Sequence, residues 1–285
     1  MIPAAFDYVR AGTVDEAVAA LVESGDDAKV LAGGQSLLPL LRLRLAYPSV
    51  VIDIGRVPEL RGVRDDGAAV VIGAMTTHYE VLHHPLIRQH CGLVAEATAT
   101  VADPAVRHRG TFGGALAHAD PAGDLPAVAL ALDAEMVVQG PGGRRTVPAA
   151  EFFVDYLTSA LAPDEVLVEV RLPKLAGPWG YRYEKFQRVA QAWAIVGVAA
   201  AVRRDNGSIG EARIGLTNMG TTPIRARATE AALAGVAAQE GAVAAAAEYA
   251  AEEAEPASDL NAQADYREHL ARVLTRRAVL AAAAG

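Results

Sequence analysis

Cysteine is almost missing from this chain, with Cys91 alone among 285 residues. An internal disulfide is thereby excluded. So is an iron–sulfur cluster held by the chain's own thiolates, since such clusters usually take four of them. No run of about 18 uncharged apolar residues occurs, which argues against a membrane-spanning helix. The opening Met1-Ile-Pro-Ala-Ala-Phe6 lacks a basic region followed by an apolar core, so no secretory leader is expected and the chain is placed in the cytoplasm. Positive charge is in deficit, with 26 Lys and Arg against 34 Asp and Glu and a net charge of −8. A nucleic-acid binder needs a cationic face to displace phosphate counterions, and no Lys/Arg cluster of that scale is present. Neither Gly-x-Gly-x-x-Gly nor a P-loop occurs, which weighs against NAD or ATP as ligand.

Recognisable catalytic constellations are lacking too. No Ser/His/Asp set or paired-carboxylate site stands out. His78, His83 and His84 are spaced poorly for one helix face, and Glu80 is placed to meet His84 only, so no three-ligand metal set assembles and surface histidines are expected. His108 and His118 flank a glycine-rich stretch and are read as structural. Arg42 and Arg44 alternate with leucines, which fits an exposed amphipathic edge as well as a phosphate contact. Cys91 is read as a small buried residue and Glu252–Glu255 as a solvated helix end.

What is present supports a sizeable globular core: 52% of residues are hydrophobic and 21% charged. Thr13-Val-Asp-Glu16 fits a capping box ahead of a helix carrying Ala17, Leu21 and Val22. Strands are predicted over 29–32 and 50–54, with a leucine-rich segment over 37–45. Asp65-Asp66-Gly67 predicts a hairpin between 60–64 and 68–72, and Gly140-Pro-Gly-Gly143 another between 135–139 and 144–147. Helices are predicted over 77–82, 86–98 and 126–132, and a strand over 166–172. After Pro173 the pattern changes to strands over 181–189, 195–203 and 208–216, then helices over 225–234, 242–253 and 264–283. Strands followed by helices suggest a separate α+β unit.

Two glycine loops carry the chemistry. In Ala32-Gly33-Gly34-Gln35-Ser36, glycines let successive backbone N–H groups turn towards one point and leave room for an anion to touch the main chain. A tight strand-to-helix turn with no ligand would look the same. Thr111-Phe112-Gly113-Gly114 offers the same chemistry far along the chain, so the pair suggests two phosphates, or one diphosphate held from both sides.

These two segments, with Leu37-Leu38-Pro39 after the first, resemble the paired FAD motifs of the molybdenum-hydroxylase flavoprotein family. That family includes the medium subunit of carbon monoxide dehydrogenase and the flavin domain of xanthine dehydrogenase. Phe6-Asp-Tyr8, the segment 50–54, Ala119-Asp-Pro-Ala-Gly-Asp124-Leu-Pro126, Glu165 to Pro173, Lys185 and Trp193-Ala-Ile-Val-Gly197 extend the resemblance over nearly the whole chain. It implies an α+β fold: a vanillyl-alcohol-oxidase-type FAD-binding domain of two α/β subdomains (1–55 and 56–173), and a C-terminal α+β domain (174–285) with a three-stranded antiparallel sheet and a three-helix bundle. By matching positions, Ala32, Gly33, Gly34, Gln35, Ser36 and Leu37, with Thr111, Phe112, Gly113, Gly114 and Ala115, would hold the pyrophosphate. Asp124 would accept from a cofactor hydroxyl, and Val101 would make an apolar contact. Leu167 and Lys185 would line the isoalloxazine end, the lysine charge stabilising reduced flavin. Trp193 would cover the flavin ring; the alternative is a core tryptophan in a strand. Two departures are visible: Phe112 replaces a smaller aliphatic residue, and 188–192 lacks the Gly-Asp that often precedes the aromatic.

The resemblance further implies an oxidoreductase complex with no catalytic side chain and no metal in this chain. A large subunit would carry the molybdenum cofactor and a small subunit two 2Fe–2S clusters, assembled as a dimer of heterotrimers. Electrons would pass from the clusters to FAD here and on to a quinone, another carrier or oxygen; a quinone acceptor would bring the complex to the inner face of the membrane. The competing expectation is a stand-alone flavin-dependent oxidase or reductase of the same superfamily.

Overall fold

The structure is a computed structural model that describes residues 2–285. Its first unit comprises β1 (Asp7–Arg10), α1 (Val14–Ser24), β2 (Ala28–Leu31), α2 (Leu37–Leu43) and β3 (Val50–Asp53). The strands pair in parallel in the order β1-β3-β2. Thr13 caps α1 by accepting from the Glu16 N–H, while Glu16 reaches back to the N–H of Gly12 rather than of Thr13. Val14, Ala17, Val18 and Leu21 form the buried face of α1 and share a core with Ile52, Leu60, Met75, Val166 and Val168. The leucine-rich helix stops at Leu43 because Arg44 adopts φ 56°, and its N–H bonds back to the Leu40 and Leu41 carbonyls.

The second unit holds β4 (Val63–Asp66), β5 (Ala69–Gly73), α3 (His78–His83), α4 (Pro85–His90), α5 (Gly92–Ala99), α6 (Pro104–Arg107), α7 (Phe112–His118), α8 (Asp124–Ala131), β6 (Glu135–Gly140), β7 (Gly143–Pro148), α9 (Ala149–Phe152), β8 (Phe153–Asp155), β9 (Thr158–Ser159) and β10 (Val166–Pro173). Five strands form one antiparallel sheet, β4-β5-β10-β6-β7, and β8 and β9 make a small separate hairpin. Asp65 and Asp66 belong to β4, so the first turn is Gly67-Ala68. The helix expected over 86–98 is two helices, broken at Cys91, whose ψ of 48° leaves the helical region. The second glycine segment is no mere turn: Thr111 is the N-cap of α7 and Gly113 and Gly114 lie in its first turn.

The third unit is an antiparallel sheet, β11 (Trp179–Phe186), β12 (Val196–Asp205), β13 (Ser208–Thr217) and β14 (Ile224–Arg225), with α10 (Arg227–Leu233), α11 (Glu240–Ala247) and α12 (Ala264–Ala284). The two-residue β14 adds a fourth strand to the three expected. Asn206 and Gly207, at φ 48° and 88°, form the tight turn between β12 and β13. Along β12, Val196, Val198, Ala200 and Val202 enter the core beneath α10–α12, whereas Ala199 and Ala201 enter the core of the second unit. This sheet is therefore covered on both faces. α8 is buried along its whole length between the two units, and its backbone meets β13 where Gly215 has no side chain; a Cβ there would stand 2.9 Å from the Ala127 carbonyl carbon. Among the described residues no helix is long and apolar enough to cross a membrane.

Candidate functional site

A cleft of about 730 Å³ opens where the three units meet. The loop between β2 and α2 and the start of α7 face each other across it. Glycine at 33 is required by how closely they approach: a Cβ there would lie 2.8 Å from Gly110 Cα and closer still to the Arg109 carbonyl oxygen. A Cβ on Gly114 would lie 3.5 Å from the Ala32 methyl. Two segments that are distant in sequence thus share one backbone contact.

The two loops are not equivalent donors. Among the described residues, the N–H groups of Gly33, Gly34, Gln35 and Ser36 have no acceptor within the protein, and Gly34 takes φ 75°, a left-handed turn that glycine permits. Gln35 folds its amide back onto the Gly33 carbonyl at 3.2 Å. Across the cleft the N–H groups are already engaged: Phe112 donates to the Thr76 carbonyl and Gly113 to that of Ala74, both at 2.9 Å, while Gly114 and Ala115 donate to Thr111. The second loop supplies a wall and the Thr111 hydroxyl; the first supplies free donors. Phe112 departs from expectation: its side chain is 1% exposed in the core of the second unit and does not line the cleft. The other expected positions, Ala32 to Leu37, Val101, Thr111, Gly113 to Ala115, Asp124, Leu167, Lys185 and Trp193, all line it.

Deeper in the cleft lies a buried ion pair. The Lys185 ammonium donates to Asp124 Oδ2 at 2.8 Å and to the Thr100 carbonyl at 3.2 Å. The Tyr183 hydroxyl donates to Asp124 Oδ1 at 2.8 Å and lies 3.2 Å from the Thr217 hydroxyl. β11 places Tyr183 and Lys185 two residues apart and so on one face. Opposite them on β12, Gly197 makes room, since a Cβ there would stand 2.5 Å from the tyrosine oxygen. Burial pushes the Asp124 carboxyl up against the pull of Lys185. Burial, reinforced by the neighbouring carboxylate, raises the Tyr183 phenol well above its ordinary value, so it stays protonated and donates. Each oxygen of Asp124 thus has one protein donor, and the Lys185 charge is countered at contact distance.

Residues 187–195 leave the sheet after Phe186, three residues earlier than expected, and carry Trp193 to the cleft edge. Trp193 is 57% exposed and lies outside any strand, which removes the core-tryptophan alternative. The far end of the segment is fixed: Asn218 Nδ2 donates to the Ala194 carbonyl at 2.7 Å, and Arg267 donates to that of Ile195.

Among the histidines, His78 is buried rather than on the surface and lines the cleft, because it opens α3 against Gly110. His83 is exposed; Glu80 closes a capping box with Thr77 and does not meet His84. His108 stacks on Tyr79 at 4.1 Å, and His118 lines the cleft 3.9 Å from Asp120. Arg42 and Arg44 are exposed and do not line it. Cys91 is buried. No metal-ligand group occurs among the described residues. Sequence reasoning did not single out Tyr183, and it placed His78 on the surface. The two-residue spacing of Tyr183 from Lys185 on a strand was a usable signal; burial of His78 had none.

Comparison with known proteins places this architecture among relatives. Residues 4–175 match the family described as the FAD binding domain in molybdopterin dehydrogenase, and 181–282 the CO dehydrogenase flavoprotein C-terminal domain. The carbon monoxide dehydrogenase medium chain of Hydrogenophaga pseudoflava is 45% identical over 282 residues, covering 99% of this chain and 98% of its own. The 6-hydroxypseudooxynicotine dehydrogenase complex subunit alpha of Paenarthrobacter nicotinovorans is 40% identical, over 97% of this chain and 94% of its own. A solved structure of the Hydrogenophaga pseudoflava carbon monoxide dehydrogenase, in a form lacking the Mo-pyranopterin moiety of its molybdenum cofactor, superposes with a TM-score of 0.97 at 48% identity, covering 100% of this chain and 99% of that one.

Proposed function

Because the chain belongs to the family of FAD-binding subunits of molybdopterin dehydrogenases, we propose that it is the electron-transfer subunit of a heterotrimeric molybdenum hydroxylase and holds FAD in the cleft between residues 32–37 and 111–115. In this reading the FAD-binding domain divides into 1–55 and 56–173, with 174–285 as the C-terminal domain. The carrying observation is the run of N–H groups on Gly33, Gly34, Gln35 and Ser36, unpartnered among the described residues and facing the wall built by Thr111, Gly113 and Gly114. Those are donors shaped for an anion bridge, and Val101, Leu37 and Leu167 supply apolar lining beside them.

FAD, when bound, supplies the redox centre, accepting electrons and releasing them to an acceptor. The chain's residues do the rest. The first loop would fix the diphosphate through four backbone N–H groups. Trp193 would cover the ring end and limit water access. Lys185 would turn its remaining Nζ–H to the deep end of the cleft, held in place by Asp124, which Tyr183 grips from the other oxygen, so a fixed donor sits there at little net charge. No side chain here is asked to attack an organic substrate. That chemistry belongs to a large molybdenum-cofactor subunit, with two 2Fe–2S clusters in a small subunit relaying electrons, in a cytoplasmic dimer of heterotrimers. The final acceptor would be a quinone, another carrier or oxygen.

Purification of the tagged chain from its native cells tests this. Two co-purifying proteins carrying molybdenum and iron, with flavin absorbance that bleaches when the complex's substrate is added, are expected. A chain that stays yellow, purifies alone and oxidises or reduces a small organic molecule unaided would establish the stand-alone flavoenzyme instead.

A further inference from the structure

We propose that His78 is a further cofactor-binding residue, its Nε2–H donating to the dinucleotide's diphosphate where the two glycine loops meet. This rests on the FAD reading above and names a contact that the loop motifs do not contain.

His78 opens α3 and is 4% exposed, yet its ring lines the cleft. Gly110 fixes the ring's position relative to the loops. A Cβ on Gly110 would stand 2.9 Å from His78 Cδ2 and 3.1 Å from Nε2, and a Cβ on Gly33 would stand 2.8 Å from the Gly110 Cα. The Cδ2–Nε2 edge of the imidazole and the first loop therefore both approach Gly110. The backbone N–H of His78 donates to the Gly110 carbonyl at 2.9 Å and holds the start of α3 against Gly110.

The buried side of the ring decides the tautomer. Nδ1 is buried and has no hydrogen-bond partner. Burial, with the Arg107 charge nearby, lowers the imidazole pKa to about 4, so near neutrality the ring carries one proton. Placed on Nδ1, that proton would create an orphaned buried N–H, which costs more than an orphaned lone pair. It therefore resides on Nε2, the nitrogen at the Gly110 edge. A fixed donor beside a cleft already lined by free backbone donors calls for an anionic oxygen.

The full-length chain, stripped of flavin and titrated with FAD and separately with ADP, provides the test. His78→Phe is expected to weaken both ligands by roughly 10- to 100-fold, the range for losing one hydrogen bond to a charged oxygen. His78→Gln, which places an amide N–H near the former Nε2, should restore both to within about threefold, a few tenths of the lost free energy. Unchanged binding by His78→Phe overturns the proposal, and so does a loss confined to FAD, which would put the contact at the flavin end. Should His78→Phe fail to fold, nitrogen-15 spectra of the wild-type FAD complex decide: a His78 resonance protonated at Nε2 supports the contact, and one protonated at Nδ1 overturns it. Wild-type protein that ignores FAD but binds ADP would retire the FAD reading separately.

Discussion

Lys185 Nζ lies 2.8 Å from Asp124 Oδ2, and the two side chains are only 4% and 5% exposed. The pair joins β11 of the C-terminal unit to the start of α8 in the second, so it fastens two units at the depth of the cleft. Paired charges at this burial are expensive to separate but not to remove together. Lys185→Met is expected to cost about 3–5 kcal/mol in urea unfolding, because it strands the Asp124 carboxylate. Adding Asp124→Leu should recover most of that. A double variant no more stable than the single one would show that the pair is not the source of the loss.

Gly33 tests the contact between the loops. Gly33→Ala places a methyl against the Arg109 carbonyl and Gly110 Cα, and relief requires the loops to part. FAD affinity is expected to fall by roughly 100-fold, about 2.7 kcal/mol, with urea stability of the flavin-free chain reduced by about 1–3 kcal/mol because the atoms met are backbone and cannot swing aside. Gly142→Ala, where a Cβ meets nothing within 4 Å, serves as the neutral control.

His78 makes stability pH-dependent. Its folded pKa is about 4 against 6.5 for a free imidazole. Between those values the unfolded chain binds the extra proton. The contribution is therefore complete above about pH 6.5, declines as pH falls, and is lost by about pH 4, amounting to about 3 kcal/mol. Urea midpoints of the flavin-free chain at pH 7.5, 6 and 5 should fall more steeply for the wild type than for His78→Gln. Parallel slopes would contradict this assignment.

Cys91 should be inert. Burial pushes its thiol up to about 12, and thiolate is the reactive form. Iodoacetamide at pH 8 is expected to leave the native chain unmodified and to label it in urea.

Most of the architecture was legible where local chemistry acts alone. The apolar run of β12, the turns at 140–143 and 205–207, and the run from 264 each match an element. What failed depended on tertiary context. The break at Cys91 accompanies Gly92 lying under the Tyr181 ring, where a Cβ would stand 2.8 Å from Tyr181 Cδ2. Phe112 read as part of a binding loop because its glycine neighbours are, yet as the first residue of α7 its side chain turns inward. His78 looked like a surface residue until α3 docked on Gly110. The ion pair was half visible: both residues were singled out, but their partnership with each other and with Tyr183 exists only once α8 packs on the C-terminal sheet.

The most direct test of the central claim, two loops closing on one diphosphate, is a titration of the flavin-free chain with FAD, FMN and riboflavin, read by quenching of flavin fluorescence. FAD should bind one per chain, with FMN and riboflavin at least about 100-fold weaker, since each lacks the bridge that the Gly33–Ser36 donors face. Equal affinity for FAD and riboflavin would contradict it.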